Sequence, residues 1–227
     1  MKVLALTHGP NVGAGVFGET VRDAGHELVE WCVPRGGDAP ADADAILVFG
    51  GAMHADQEER HPWLRREVRF LQEALERERP LFGVCLGAQL LAKAAGASVH
   101  PATESEVGWY RIELTDPAGE DAVFGWLPPR FDGFQWHHYT YDLPAGAVEL
   151  ARSAACTQAF RLGRAYGIQF HAEVTSGTIE SWLGDDSDEV ANPDTLRAET
   201  TERIDAWNQL GRGLCRAFLG SAPLAGL

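Results

Sequence analysis

The chain reads as an α/β domain: a mostly parallel, doubly wound sheet with helices on both faces and an antiparallel edge. Three observations predict this. Short continuous apolar runs alternate with segments of helical periodicity through the first hundred residues, as expected for strands buried on both faces by crossover helices. Glycine, proline and aspartate fall at the junctions, where the chain must turn. Beyond about residue 100 the runs become short, aromatic and β-branched, the texture of hairpins. With 227 residues, 45% of them hydrophobic, one large domain with a sizeable core is expected.

Met1–Thr7 (MKVLALT) is a short apolar run and predicts a buried parallel strand, with a turn at His8–Asn11. Val12–Ala24 has helical spacing through Val16, Phe17, Thr20 and Val21 and stops at Gly25. Glu27–Val33 predicts a second strand and Pro34–Asp44 a loop. Ala45–Phe49 (AILVF) is a third strand, ending on Gly50-Gly51. Pro62–Arg77 is amphipathic, with Leu64, Val68, Leu71 and Leu75 on one face. Leu81–Val84 then predicts a strand and Ala88–Ala95 a helix. Trp109–Leu114, Phe134–Tyr141 and Val148–Ser153 read as antiparallel strands, and Arg164–His171 as a further strand. Thr175–Leu183 predicts a helix and Thr195–Leu219 a longer one; between them Gly184–Asp194 is acidic. That stretch departs from a calcium loop, which needs a central Gly and a terminal Glu, and is read as a solvated linker.

Composition excludes several functions. Nineteen Lys and Arg against 33 Asp and Glu leave a net charge of −14, so no nucleic-acid partner is expected, since phosphate binding needs a basic patch. The apolar runs are too short or too interrupted to span a membrane. The N-terminal run is too short for a signal peptide. Four cysteines, none in a C-x-x-C pair, do not make a disulfide scaffold or a zinc ribbon, and a reducing cytoplasm is the expected location.

The chemistry concentrates in LFGVCLGAQLLAKAAGA at 81–97. Cys85 sits between Gly83 and Gly87, after an apolar strand and before a helix. That is the grammar of a nucleophile elbow, a tight turn that lifts the nucleophile above a sheet. Helix N-terminal N–H groups would then face the sulfur and favour its charged form. Taken alone, Cys85 is equally a buried structural thiol. A thiol nucleophile needs a base, and the base an orienting group. GIQFHAE supplies His171 and Glu173, two apart, which on a strand would face the same side. A developing oxyanion needs donors: Gly50-Gly51 at the end of AILVF permits close backbone approach, and the N–H of Leu86, directly after the nucleophile, is the second donor. Taken alone, Gly50-Gly51 is equally a tight turn. His137-His138 has no third ligand at zinc-type spacing, so no metal is expected; one is read as lining the pocket and the other as packing or facing solvent. Trp136, Trp182 and the other five tryptophans are read as core or edge packing.

FGGAMH at 49–54, GVCLGAQLLAKAAGA at 83–97 and GIQFHAEVT at 167–175, in this order and spacing, resemble the class I glutamine amidotransferases. VGWYRIEL at 107–114 and FQWHHYTYDLP at 134–144 add to the likeness, which spans about residues 3–183 and is similar to the amidotransferase part of GMP synthase and its free-standing homologues. The resemblance implies a flavodoxin-like architecture over residues 1–190; residues 191–227 have no counterpart in it and are read as a C-terminal helical extension packed on the same domain. It implies Cys85 as nucleophile, His171 as base and Glu173 as orienting group, acting without a cofactor. It implies that Gly50 and Gly51 contribute to the oxyanion pocket, and that Leu86, Gln89, Tyr139 and Thr140 contact the γ-glutamyl group. The expected reaction is hydrolysis of the glutamine side-chain amide, with ammonia passing to a partner synthetase encoded elsewhere. The same chemistry would serve a γ-glutamyl peptidase, and the pocket of a non-catalytic sensor would look alike. Two departures stand out: Ala172 replaces the Pro common in the family between His and Glu, and no phosphate-binding loop of an ATP-pyrophosphatase is present, so GMP synthesis by this chain alone is not expected.

Overall fold

A computed structural model describes residues 1–40, 42–185 and 189–222. In chain order the strands are β1 (Lys2–Thr7), β2 (Glu27–Cys32), β3 (Ala45–Val48), β4 (Leu81–Val84), β5 (Val99–Leu114), β6 (Arg130–Tyr141), β7 (Val148–Arg152), β8 (Thr157–Leu162) and β9 (Ala165–Ile168). The helices are α1 (Gly15–Asp23), α2 (Trp63–Glu76), α3 (Leu86–Ala94), α4 (Ser176–Asp185) and α5 (Pro193–Ser221). All nine strands form one sheet in the order β2-β1-β3-β4-β9-β8-β7-β5-β6. The first five in that order are parallel neighbours, and the rest pair antiparallel. This is the architecture expected from the sequence.

Alternation along β1 splits the core between the two faces of the sheet. Val3 and Ala5 join α1 and α5 through Val16, Phe17, Leu214 and Phe218. Leu4 and Leu6 join α2 and α3 through Leu64, Leu71, Leu90 and Leu91. Period-two alternation is what lets one buried strand serve two cores. The strand order also fixes the site. β3, β4 and β9 are consecutive neighbours, with Val48 opposite Gly83 and Val84 opposite Ile168. Their carboxyl ends therefore deliver Gly50, Cys85 and the 169–173 segment side by side, where ligands bind in such sheets.

Several elements differ from expectation. α1 starts at Gly15 rather than Val12, because Gly15 adopts φ +46° with its Cα tight against Glu173 O. α3 begins at Leu86, with the Cys85 turn as its cap. β5 is one sixteen-residue strand, longer than the predicted Trp109–Leu114, and its pairing with β6 is bulged between Pro101 and Glu106. Pro and Gly inside it masked its first half. β8 was not anticipated, and β9 stops at Ile168, so His171 and Glu173 lie beyond the strand. Of the acidic segment read as a solvated linker, residues 186–188 lie outside the described residues, as do 223–227 of the C-terminal extension.

Candidate active site

Cys85 takes φ +53° and ψ −111°, a left-handed conformation that costs a non-glycine residue about 1–3 kcal/mol. The flanking glycines make the turn feasible by close approach. A Cβ on Gly83 would meet the Gly87 carbonyl at 2.7 Å, and one on Gly87 would meet Val48 O at 2.1 Å. The turn is fixed at both ends: Cys85 N–H donates to Ile168 O at 2.8 Å, and Cys85 O accepts from Gln89 N–H at 3.0 Å. The thiol stands at the carboxyl end of the sheet, 3.8 Å from Trp136 O.

His171 Nδ1 donates to Glu173 Oε1 at 2.7 Å, and both side chains are buried. They meet across a bend after β9, not along a strand as the sequence suggested. That bend is held from three sides. His171 N–H donates to Phe134 O at 2.8 Å. Trp207 Nε1 of α5 donates to His171 O at 2.8 Å. Val16 N–H at the start of α1 donates to Glu173 O at 2.9 Å. Burial alone would lower the His171 pKa, but the adjacent Glu173 charge and the facing Cys85 outweigh it and raise it to about 10. The shift biases the ring towards its charged form, with Nδ1 held by Glu173 and the other nitrogen facing Cys85.

Gly50 follows β3 directly beneath this pair. A Cβ there would lie 3.0 Å from His171 Cε1 and 3.7 Å from Cys85 Cβ. On Gly51 it would meet Met53 Sδ at 2.7 Å and Leu86 Cδ2 at 2.8 Å. The backbone of this dipeptide thus packs against His171, Met53 and Leu86 more closely than a side chain would leave room for.

A cavity of about 390 Å³ opens over Cys85. Of the residues singled out in the sequence, Gly51, Leu86, Gln89, Tyr139, Cys85 and His171 line it. Glu173 stands behind His171, Gly50 behind the lining, and Thr140 is buried without reaching it. Gln89 Nε2 donates to Tyr139 O at 3.0 Å and to Gln169 Oε1 at 3.2 Å. Trp136 and Trp182 pack against the core as the sequence suggested, and in addition both line the cavity. Trp182 stands edge-on to His171 with centroids 4.9 Å apart, anchored by its Nε1 to Asn11 O at 2.9 Å. His54 stacks on Tyr139 at 4.0 Å. Glu189 accepts from Trp136 Nε1 at 2.8 Å and from His138 Nε2 at 3.1 Å. None of these roles has a local sequence signal, because each depends on which loops fold over the sheet.

A second Cys/His/Glu group lies nearby. Glu106, His137 and Cys156 bring their donor atoms within 4.8 Å of one another, a grouping of metal-ligand types among the described residues. Its logic is that of a hydrogen-bonded hub. Glu106 Oε2 accepts from Gln158 Nε2 at 2.8 Å, Ser153 Oγ at 3.1 Å and His137 Nε2 at 3.1 Å, with the Cys156 thiol at 3.8 Å. A cation would have to displace these donors. Burial, with the Glu106 charge adding to it, pushes the Cys156 thiol up to about 11, so it keeps its proton. Spacing could not reveal this group, because its members come from two strands, β5 and β6, and the bend before β8. Both histidines line the cavity, His137 buried and His138 partly exposed, which amends the reading that only one would do so.

Residues 23–186 match the family model described as glutamine amidotransferase class-I. Over nearly its whole length the chain is 30% identical to the glutamine amidotransferase-like protein YfeJ of Salmonella typhimurium, covering 99% of this chain and 98% of that protein. GMP synthase of Aliivibrio fischeri is 31% identical over 66% of this chain but only 28% of its own length. A γ-glutamyl-L-1-hydroxyisopropylamide hydrolase of a Pseudomonas species is 32% identical over 58% of this chain and 48% of its own length. The crystal structure of a glutamine amidotransferase of Thermotoga maritima superposes with a TM-score of 0.88 at 30% identity, covering 97% of this chain and 98% of that one. The chain belongs to the class I glutamine amidotransferase family.

Proposed function

We propose that this protein hydrolyses the side-chain amide of glutamine through Cys85, His171 and Glu173, releasing ammonia for a separate acceptor synthetase. The observation that carries this reading is the convergence of a strained elbow cysteine, a buried His–Glu pair and a two-glycine turn at the ends of three adjacent strands. Cys85 Sγ attacks the γ-carbonyl carbon. Negative charge moves to the carbonyl oxygen, where the N–H groups of Gly51 and Leu86 are the donors. Collapse breaks the C–N bond, His171 gives its proton to the departing amine, and a thioester remains on Cys85. Water attacks that thioester, His171 takes a proton from it, and glutamate leaves with Cys85 restored. Glu173 keeps the ring oriented and stabilises its charged form throughout.

A second reading is hydrolysis of larger γ-glutamyl amides or peptides. The cavity supports it, because Trp136, Trp182 and the Tyr139–His54 stack give its walls aromatic surface on which a larger amine could pack. The named activity of the Pseudomonas relative is of this type. The chemistry is identical up to the leaving amine. The deciding experiment incubates the pure protein with glutamine and with a panel of γ-glutamyl alkylamides and peptides, and measures glutamate and amine. Slow turnover on glutamine that rises with a co-purifying synthetase supports the first reading. Fast unassisted turnover on γ-glutamyl amides with little on glutamine supports the second. No turnover on any, with Cys85 no more reactive than the other cysteines, would assign the fold a binding role.

A further inference from the structure

We propose that His8 and Glu67 are positioning residues that set the orientation of the Gly50–Gly51 peptide, and through it the oxyanion donor. The inference rests on the acyl-transfer reading above. His8 lies at the end of β1 and Glu67 on α2, and neither belongs to the triad. Both side chains have no solvent exposure. His8 Nε2 meets Glu67 Oε1 at 2.9 Å and Oε2 at 3.0 Å, and its Nδ1 donates to Gly50 O at 2.8 Å. The ring is also stacked on Trp63, centroids 5.4 Å apart and planes 15° apart. Burying a carboxylate against an imidazole is costly unless close geometry and further hydrogen bonds satisfy both groups. Here the end of the chain of bonds is a backbone carbonyl.

That carbonyl matters because of what shares its plane. The peptide is trans, so Gly50 C=O and Gly51 N–H point in opposite directions, and fixing one fixes the other. Between two glycines a peptide plane can rotate without steric penalty from either side chain, so the sequence itself holds it in no single orientation. Among the described residues, Gly51 N–H donates to no carbonyl or side chain. His8 is the group that grips the other edge of the plane. Its own protonation fits the task. Burial lowers the His8 pKa, but the Glu67 charge, the Glu67 hydrogen bond and the backbone carbonyls of Gly50 and Phe49 outweigh it, leaving it raised. The shift favours the charged ring, which donates to Glu67 through Nε2 and to Gly50 O through Nδ1.

The test separates backbone orientation from thiol reactivity. His8→Leu removes the donor to Gly50 O. His8→Asn keeps a donor near the Nδ1 position and loses Glu67. Glu67→Gln keeps the shape of the pair without its charge. Alkylation of Cys85 by iodoacetamide develops no oxyanion, whereas amide hydrolysis does. Expected for His8→Leu is a 10²–10³-fold fall in kcat, the scale of losing one oxyanion donor, with little change in KM and an unchanged rate and pH profile of Cys85 alkylation. His8→Asn should recover part of that loss, and Glu67→Gln should fall between His8→Leu and wild type. In crystals of His8→Leu or, if that variant does not fold, of Glu67→Gln, the Gly50–Gly51 peptide should be rotated or split between two orientations. That readout stands even if no tested amide is turned over, so it distinguishes failure of this proposal from failure of the substrate reading. Wild-type kcat in His8→Leu, alkylation that falls in proportion to kcat, or an unmoved peptide in the variant crystals would each overturn the proposal.

Discussion

Gly211 is on α5, far from Cys85 in sequence, yet replacing it with alanine should cripple the site. A Cβ at Gly211 would lie 2.0 Å from Ala172 O, 3.1 Å from Ala172 C and 3.2 Å from Val16 Cγ2. The oxygen belongs to the Ala172–Glu173 peptide, inside the bend that carries His171 and Glu173. An ordinary contact needs at least about 3 Å between these atoms, so helix and bend must separate by about 1 Å. Two effects on stability oppose each other. Alanine in mid-helix is favoured over glycine by about 1 kcal/mol, while overpacking costs about 1–3 kcal/mol. The net loss, about 0–2 kcal/mol, leaves a folded protein. The effect on chemistry is larger, because a 1 Å misplacement of a reacting group costs about 100-fold in rate. Gly220→Ala on the same helix is the control, since a Cβ there meets nothing within 4 Å. The assay is glutamate release from the best γ-glutamyl substrate, paired with thermal unfolding. The expected outcome is a kcat reduced about 100-fold for Gly211→Ala at a modestly lowered Tm, and wild-type turnover for Gly220→Ala. Wild-type kcat in Gly211→Ala would refute the claim that α5 positions the His171–Glu173 bend.

Three more outcomes are expected. Glu173→Gln should lower the His171 pKa from about 10 and reduce kcat by about 10²–10⁴, read by NMR titration of the ring alongside turnover. The sign of the linkage follows: a raised histidine pKa stabilises the native state fully below about pH 6.5, and that contribution fades as pH rises through about 10, so Glu173→Gln should flatten the alkaline fall in Tm. Iodoacetamide should label Cys85 well ahead of Cys156 and Cys215, whose thiols are pushed up by burial to about 11 and about 12, and Cys85→Ala should abolish hydrolysis with the fold retained; equal labelling across the cysteines in peptide maps would count against Cys85 as nucleophile. Gly87→Ala places a Cβ 2.1 Å from Val48 O and should lower the urea midpoint by an amount equivalent to about 1–3 kcal/mol; an unchanged midpoint would show the elbow to be looser than described.

Much of the parallel half was legible because each of its signals is local. Apolar runs bounded by glycine mark β1, β3 and β4, and G-x-C-x-G marks the turn between β4 and α3 through sterics alone. The antiparallel half was legible only in outline. β5 carries Pro101 and Gly108 inside a continuous strand, and its first half is partly exposed, so neither composition nor hydropathy declares it. The His171–Glu173 contact was anticipated for the wrong reason. Two-residue spacing on a strand would place the side chains on one face, but β9 ends at Ile168, and the contact is made by a bend held by Phe134, Val16 and Trp207. The cavity walls were missed because Trp136 and Trp182 come from a strand and a helix whose meeting place is set by the whole topology.

Two imidazole–carboxylate pairs flank the elbow, and they differ in what the ring's other nitrogen faces. In His171–Glu173 it faces the thiol, so the pair governs a proton. In His8–Glu67 it faces a peptide carbonyl, so the pair governs a dipole. Both rings are buried and both are biased towards the charged form by their carboxylates. Gly50 is the point at which they meet: its carbonyl is bound by His8, and its Cα leaves room for a Cβ only 3.0 Å from His171 Cε1. The nucleophile therefore has little machinery of its own. Its strand provides height and its helix an N-terminus, while in the proposed mechanism proton and oxyanion are handled by residues that follow β1, β3 and β9. α5 closes this arrangement from outside, with Trp207 bonded to His171 O and Gly211 against Ala172 O, so a helix beyond the matched family segment supports the bend that carries His171 and Glu173.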